Sequence, residues 1–404
     1  MVSISFPFSM ILLIAVIGYF AARRKAIAMV KGNLRQLQAL PQAYGQTVFF
    51  TTFLPATVIL LGWAFVVRIM GPSHALISDG LFQGLVIITA AVGAALSYLR
   101  VKPSQRARAI SERWIMGVLM AASALAILTT IGIVISMLSE SAIFFRQHSW
   151  SDFFFGTVWA PNFRGGSQLS ILPLLWGTLY ISFISLIIAV PVGLYAAIYL
   201  SEYASPSLRS VAKPAIEVLA GIPTIVYGLF ALITVGPMLR DFFVQPLGLG
   251  SSSSSVMTAG LVMGVMLIPF VSSLSDDIIN AVPQAMRDGS LGLGATKSET
   301  IRQVVVPAAL PGIVGAVLLA ASRAIGETMI VVLGAGAAAR FDLNPFEAMT
   351  TVTVKIVSQL TGDTDFASPE TLVAFALGLS LFVITLGLNI VALVIVRKYR
   401  EQYE

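Results

Sequence analysis

Long apolar runs separated by short polar stretches occupy most of this chain. A helix needs about 20 apolar residues to cross the hydrocarbon core of a membrane, whereas barrel strands alternate over about 10. The pattern therefore predicts an all-α integral membrane protein. Its nine transmembrane helices are predicted at about residues 5–22, 47–70, 81–99, 114–138, 170–200, 214–236, 256–279, 311–335 and 370–396.

Composition agrees with a membrane protein and excludes several chemistries. Of 404 residues, 57% are hydrophobic and 11% are charged, against roughly 25% charged in soluble proteins. The absence of cysteine excludes disulfides and thiolate catalysis, and the only two histidines, His74 and His148, fall in separate loops, which argues against a metal site built from histidine. We expect no cofactor. A net charge of +6 does not indicate nucleic-acid binding here, because the basic residues follow membrane topology.

The basic residues alternate from loop to loop. With the N-terminus outside, the cytoplasmic loops hold 18 of the 25 Lys and Arg residues and the outer loops hold five. Cytoplasmic loops are typically enriched in Lys and Arg. We therefore expect an outer N-terminus, a cytoplasmic C-terminus and a cytoplasmic loop at about 280–310.

The basic loop "RVKPSQRARAISER" (100–113) divides the chain. We expect an N-terminal extension of three membrane helices at 1–110, which includes a basic cytoplasmic linker. A domain of six membrane helices is expected at 111–404.

The segment at about 283–310 is too long to be a simple helix connection, because such links are usually 2–8 residues. It reads "MRDGSLGLGATKSETIRQVVVPAALPG" from Met286. Its small residues would let another protein approach the backbone closely. A phosphate-binding loop would need Lys directly after its last glycine, but Ala295 follows Gly294. The sequence contains no nucleotide-binding motif, and any energy for work must come from a partner or an ion gradient.

The spacing in this loop resembles the signature of ABC importer permeases. An acid and two small residues (Asp288, Gly289 and Ser290) precede Gly294, and Val304-x-Val306-Pro307 follows. Asp stands for the usual Glu, and Val for Ile and Leu. The resemblance implies that Asp288, Gly289, Ser290, Gly294 and Pro307 couple the chain to an ATPase subunit, through a helix docked in a groove of that subunit.

Three further stretches resemble the phosphate-specific permeases of the PstC type. They are "PVGLYAAIYLSEYAS", "PAIEVLAGIPTIVYGLF" and "SRAIGETM", and the resemblance covers about residues 110–404 but not clearly the first 100. It implies a subunit of an ATP-driven phosphate importer in the bacterial inner (plasma) membrane. The expected partners are inorganic phosphate, a second permease of the PstA type, two cytoplasmic ATPase subunits and an extracytoplasmic phosphate-binding protein. ATP hydrolysis would lie on a separate chain, so this chain is not expected to be an enzyme.

Arg323 and Glu327 lie near the middle of the predicted eighth span, four residues apart. Ionisable groups inside a membrane are costly and usually face a cavity or a partner. Four residues apart in one helical span, the two are expected to share a helical face. They could form an ion pair that locks helix packing, or they could meet an anion in transit, with Glu327 holding Arg323. The resemblance implies a role in transport for both residues.

Hydroxyl residues in two spans are weaker candidates for pathway lining. Thr178 and Ser182 share a face of the fifth span with Ser185, and Thr224 and Tyr227 share a face of the sixth. Such residues usually serve helix packing in membranes. The nearby "AGIPT" can break the sixth span, because proline removes a backbone donor.

Three other functions remain open. The cargo could be another oxyanion, such as molybdate, sulfate or phosphonate. The chain could instead be an ion-coupled secondary transporter or channel with Arg323 and Glu327 as a relay, although this gives the loop at 280–310 no role. It could also be a non-transporting membrane scaffold or a partner of a sensor.

Overall fold

The computed structural model describes residues 4–31, 33–70, 79–162, 166–362 and 368–400. Sixteen α-helices are found in this part of the chain. In order they are Ser5–Met29 (α1), Pro41–Met70 (α2), Asp79–Leu99 (α3), Ala107–Gln147 (α4), Trp150–Phe155 (α5), Leu172–Ile198 (α6), Pro206–Ala220 (α7), Thr224–Phe230 (α8), Gly236–Leu239 (α9), Val256–Ala281 (α10), Gln284–Gly292 (α11), Lys297–Thr300 (α12), Val306–Ile325 (α13), Met329–Gly334 (α14), Val352–Gly362 (α15) and Pro369–Arg400 (α16).

Short segments of other geometry extend or join these helices. A 3₁₀ turn covers Leu34–Gln36, and four π-helical segments cover Tyr199–Tyr203, Ala231–Val235, Arg240–Val244 and Ile301–Val305. Two short strands, Trp159–Ala160 (β1) and Gln168–Leu169 (β2), pair antiparallel, with Trp159 opposite Leu169. The sequence pattern did not predict this ladder.

Nine helices among the described residues are long and apolar enough to cross a membrane. They span Ser5–Met29, Pro41–Val67, Gly80–Leu99, Ala107–Gln147, Leu172–Tyr203, Thr224–Val244, Val256–Ala281, Lys297–Ile325 and Pro369–Lys398. The prediction of an all-α membrane protein with nine spans is confirmed for this part of the chain.

The bounds of two predicted spans were wrong. The sixth span was predicted at 214–236, but the spanning helix begins at Thr224, and α7 before it is a separate amphipathic helix. The eighth was predicted at 311–335, but its helix begins at Lys297 and ends at Ile325. In both places, glycine interrupts an apolar run that hydropathy alone reads as continuous.

The chain forms two compact units, residues 1–131 and 132–404. The division falls inside α4, whereas the sequence predicted a boundary at residue 110, just after the start of that helix. The side chains of the membrane-crossing part of α4 are almost all exposed. Because α4 packs little within either unit, packing does not define where the predicted N-terminal extension ends.

Small residues hold the helices of the first unit together. Buried positions recur every three or four residues along α1, at Pro7, Ile11, Ala15, Gly18, Ala22 and Ala26. A Cβ added at Gly18 would lie 3.0 Å from Cγ1 of Val48 on α2. Small residues let membrane helices approach closely and gain van der Waals contact.

In the second unit, α10 is the most buried spanning helix and packs along α6. A Cβ added at Gly260 would lie 2.7 Å from Cγ2 of Ile184, and one at Gly264 would lie 3.0 Å from Cβ of Ile188. These glycines, one helical turn apart, bring the two backbones together. The resulting core supports the segments that carry the candidate site.

Candidate functional site

The stretch "SRAIGETM" is a helix break. Helix α13 ends at Ile325, and α14 begins at Met329. Arg323 therefore lies in the last turn of α13, and Glu327 lies in the break. The expectation that both residues share one helical face was wrong, because the backbone leaves the helix between them.

Arg323 contacts an aromatic ring and does not pair with Glu327 in the described part of the chain. Its guanidinium carbon lies 5.5 Å from the centre of the Phe270 ring on α10, and its side chain is exposed in the isolated chain. No ion pair joins Arg323 to Glu327 among the described residues. A cation–π contact leaves the guanidinium nitrogens able to meet an anion.

Glu327 organises the break itself. Its carboxylate Oε1 accepts a hydrogen bond from the backbone N–H of Met329 at 3.1 Å. Its backbone carbonyl accepts one from the hydroxyl of Thr353, at 2.9 Å. The side chain thus satisfies a backbone donor that the broken helix would otherwise leave unpaired at the start of α14.

A second break lies beside the first. Helix α7 ends at Ala220, and α8 begins at Thr224 after Gly221, Ile222 and Pro223, as "AGIPT" predicted. On α8, a Cβ added at Gly228 would lie 2.8 Å from the backbone oxygen of Met329. Glycine therefore lets the two interrupted helices meet next to Glu327. The sequence around neither break indicates that α8 and α14 lie against each other.

The predicted lining residues make mostly internal contacts. The hydroxyl of Thr178 donates to the carbonyl of Leu174 at 2.7 Å and accepts from the N–H of Val352 at 3.1 Å. Tyr227 donates to the carbonyl of Leu219 at 2.9 Å and so bridges the α7–α8 break. Both side chains are buried and hold elements together.

Two predicted positions differ from this pattern. The hydroxyl oxygen of Ser182 is buried without a hydrogen-bond partner in the described part of the chain. Thr224 is half-buried and begins α8. Pathway lining by any of the four residues stays a prediction.

The predicted coupling loop forms two short helices, α11 and α12, separated by a turn. Gly294 lies in the turn with a φ of 91°, which favours glycine. The hydroxyls of Ser290 and Thr300 lie 3.0 Å apart across the turn, and the Thr296–Glu299 capping box begins α12. Local chemistry thus fixes the shape of the loop.

One face of this loop is unoccupied in the isolated chain. None of the residues of α11 is buried, and a Cβ added at Gly289 would contact nothing within 4 Å. Leu293 is 92% exposed at the tip. Asp288 lies on α11, where Gln284 donates to its carboxylate at 3.0 Å. Pro307 lies apart from these residues, in the first turn of α13.

Arg287 fixes α11 to the membrane helices. Its NH2 group donates to Glu202 at 3.0 Å and to the carbonyl of Ile279, at the end of α10, at 2.8 Å. It also donates to the carbonyl of Val282. From the sequence, Arg287 was only one of the cytoplasmic charges, so its anchoring role was missed.

A buried ionic cluster was missed as well. Asp276 on α10 is 2% exposed and accepts hydrogen bonds from Arg209 and Lys213 on α7, at 2.9 and 2.8 Å. Lys213 also lies 3.3 Å from the exposed carboxylate of Asp277. The hydrogen bond to Asp276 is the main cause that raises the pKa of Lys213. An acidic residue inside an apolar run was the available signal.

Comparison with known proteins places the chain among transport components. The family model for the inner membrane component of binding-protein-dependent transport systems matches residues 189–401. A second model, described as phosphate ATP-binding cassette transporter, matches residues 8–81. Similarity therefore extends into the N-terminal region, where the sequence motifs did not clearly carry it.

Two phosphate permeases match this chain over most of their own length. The phosphate transport system permease protein PstC of Mesorhizobium japonicum is 34% identical over 272 residues, covering 63% of this chain and 82% of that protein. PstC 1 of Mycobacterium tuberculosis is 36% identical over 278 residues, covering 61% and 81%. The inward-facing MetNI methionine ABC transporter is 19% identical with a TM-score of 0.44, covering 57% and 95%.

Proposed function

We propose that this chain, which belongs to the family of inner membrane components of binding-protein-dependent transport systems, is a permease subunit of an ATP-driven importer of inorganic phosphate. The observation that carries the assignment of phosphate is the 34% identity to a PstC permease over 82% of that protein. The match of residues 8–81 to a model described as a phosphate transporter supports the same cargo.

The energy comes from partner chains in this proposal. A second permease of the PstA type completes the membrane part, and two cytoplasmic ATPase subunits bind and hydrolyse ATP. An extracytoplasmic binding protein delivers phosphate. The sequence holds no nucleotide-binding motif, which supports a division of labour in which this chain breaks no covalent bond.

The orientation follows from charge. The ends of the spans that hold 18 of the 25 Lys and Arg residues face the cytoplasm in this proposal, which places the N-terminus outside and α11 inside. The exposed face of α11, with Leu293 and the open backbone at Gly289, then faces the ATPase subunits. This placement gives the coupling loop a partner.

A chain of contacts from α11 to the helix breaks supports the coupling that we propose. Arg287 ties α11 to the end of α10, and Asp276 on α10 holds α7 through Arg209 and Lys213. Helix α7 leads through the Gly221–Pro223 break into α8, whose Gly228 meets Met329. In this mechanism, ATP binding by the partner subunits moves α11 on the cytoplasmic side. The movement opens the site beside Glu327 towards the outer side of the membrane.

Arg323 and Glu327 take separate roles. Arginine presents several donors in a planar fork that suits phosphate oxygens, and Arg323 is not occupied by Glu327. Glu327 shapes the break by accepting the N–H of Met329. Its nearby negative charge also keeps anion binding weak enough for release, which conduction requires.

The test is uptake of radiolabelled phosphate by cells that lack this chain and receive wild type, Arg323→Gln or the matched control Arg146→Gln. Arg146 is an exposed arginine at the end of α4. We expect Arg323→Gln to lower uptake about 30-fold or more, since a charge-assisted hydrogen bond is worth roughly 2 kcal/mol or more. The control should restore uptake, with sulfate and molybdate failing to compete.

Two results would contradict different parts of the proposal. Phosphate uptake that is unchanged in cells lacking the chain, with no other phosphate system active, would mean that the cargo is wrong. Full uptake with Arg323→Gln, in a complex that assembles normally, would exclude Arg323 from the pathway.

A further inference from the structure

Two adjoining cavities mark the first unit on the side where α1 ends and α2 and α4 begin. The outer cavity has a volume of about 540 Å³ and lies between the segment 34–43 and the first turns of α4. Leu37, Leu40 and Ile115 line it together with Arg108 and Glu112. It is therefore an amphipathic groove at the level where the helices enter the membrane.

The inner cavity is apolar. It has a volume of about 290 Å³ and lies between α1 and α2, where Val16, Phe20, Phe49 and Phe50 line it. Gln46 lines both cavities. Because α2 begins at Pro41, the order Gln46, Phe49 and Phe50 leads from the groove towards the middle of the membrane. The two cavities share the Gln46 side chain, so together they offer a polar mouth and an apolar interior, and the pair is here called the path.

The mouth of this path is strongly basic. Two segments form it, 31–41 and 100–115, and they contact each other through the N–H of Gln38, which donates to the carbonyl of Pro103. Tyr44, just after the first segment, donates to the carbonyls of Pro103 and Gln105. Between them the segments 31–41 and 100–115 hold the cations Lys31, Arg35, Arg100, Lys102, Arg106, Arg108 and Arg113. Glu112 is the one acidic residue in these segments.

Arg108 lies at the groove and is only partly engaged. Its Nε donates to Glu112 at 2.7 Å, and the described residues offer no hydrogen bond to its two terminal nitrogens. A phosphate diester is the complementary group, because arginine binds phosphate oxygens through pairs of N–H donors. A ligand that carries both a phosphate and an acyl chain would match the whole path.

We propose that this path is a binding site for one anionic phospholipid, with its phosphate at Arg108 beside the other cations of the mouth and one acyl chain along Phe49 and Phe50. A neutral lipid would fill the apolar part but would leave the excess of positive charge without a partner. A soluble phosphate would leave the apolar part empty. The site is separate from Arg323 and Glu327 and does not depend on which solute the protein carries.

The test is native mass spectrometry of the full-length chain, purified in detergent with the subunits that accompany it, after addition of equal amounts of dioleoylphosphatidylglycerol and dioleoylphosphatidylcholine. We expect phosphatidylglycerol to be retained about tenfold better. Arg35→Gln/Arg108→Gln should abolish that preference, since each cation near an anionic lipid contributes about 1 kcal/mol, or roughly fivefold in affinity. Equal retention of the two lipids by wild type would overturn the proposal.

Matched variants separate a site from a general charge effect. Arg397→Gln/Lys398→Gln removes the same charge from exposed positions of α16 and should keep the preference. An equal loss in this control would overturn the proposal. Val16→Trp, which fills the inner cavity and leaves every charge in place, should lower retention of phosphatidylglycerol. Displacement of the lipid by equimolar glycerol 1-phosphate would show that the acyl chain contributes nothing and would also overturn it.

Discussion

A single guanidinium nitrogen of Arg209, Nη2, donates to both carboxylate oxygens of Asp276, at 2.9 Å each. Lys213 donates to the same carboxylate from one turn further along α7. A carboxylate that is 2% exposed is costly unless it is paired and hydrogen-bonded. This cluster fastens the amphipathic α7 to the most buried helix of its unit.

Replacing Asp276 by Asn should destabilise the protein by about 2–3 kcal/mol, because two cations lose their shared partner. The matched control is Asp277→Asn, which removes a neighbouring carboxylate that is 67% exposed and should cost under about 1 kcal/mol. Thermal unfolding of both variants in detergent, followed by circular dichroism, measures the difference. Equal melting temperatures for the two variants would show that burial of Asp276 does not matter.

The cluster should also respond to alkaline pH. The hydrogen bond to Asp276 raises the pKa of Lys213 above its ordinary value, which is about 10.4 for lysine. The contribution of Lys213 to stability is therefore fully present below the ordinary pKa and is lost as pH rises through the raised one. Melting temperature measured from pH 7 to 11 should fall more steeply above about pH 10 for wild type than for Lys213→Gln. Parallel curves would refute the linkage.

Gly228 should tolerate no side chain. Gly228→Val would push against the backbone oxygen of Met329 and displace the break that Glu327 organises. We expect phosphate uptake to fall at least tenfold, since small misplacements at a site carry large effects on rate. Gly132→Val is the control, because a Cβ there meets nothing within 4 Å. The prediction fails if the two variants transport equally well at equal amounts in the membrane.

Leu293 should contribute to docking of the ATPase subunits. Leu293→Ser removes a side chain that is 92% exposed, and burial of a leucine contributes about 1.5–3 kcal/mol. Co-purification of ATPase subunits with the chain should fall about tenfold or more. Leu343→Ser, at a leucine that is 74% exposed in a different loop, should not change it. Unchanged co-purification with Leu293→Ser would mean that the tip of the coupling loop does not touch the partner.

Features set by neighbouring residues were predictable from the sequence. Apolar run length located seven of the nine spans closely, and the break at Gly221–Pro223 follows from the backbone limits of proline. The spacing of Asp288, Gly294 and Pro307 singled out the loop, and the structure gives its first part an exposed face; its coupling role stays a prediction. Hydropathy and backbone conformation are local properties, so a single sequence carries them.

Only the tertiary structure decided how the candidate site is arranged. No proline lies close to Gly326 in sequence, yet the helix ends there, and Glu327 and Thr353 satisfy the freed backbone groups. The meeting of Gly228 with Met329 and the pairing of Asp276 with Arg209 join residues 67 or more positions apart. Such contacts depend on how helices pack, and the spacing of residues along one helix does not determine which neighbour each face will meet.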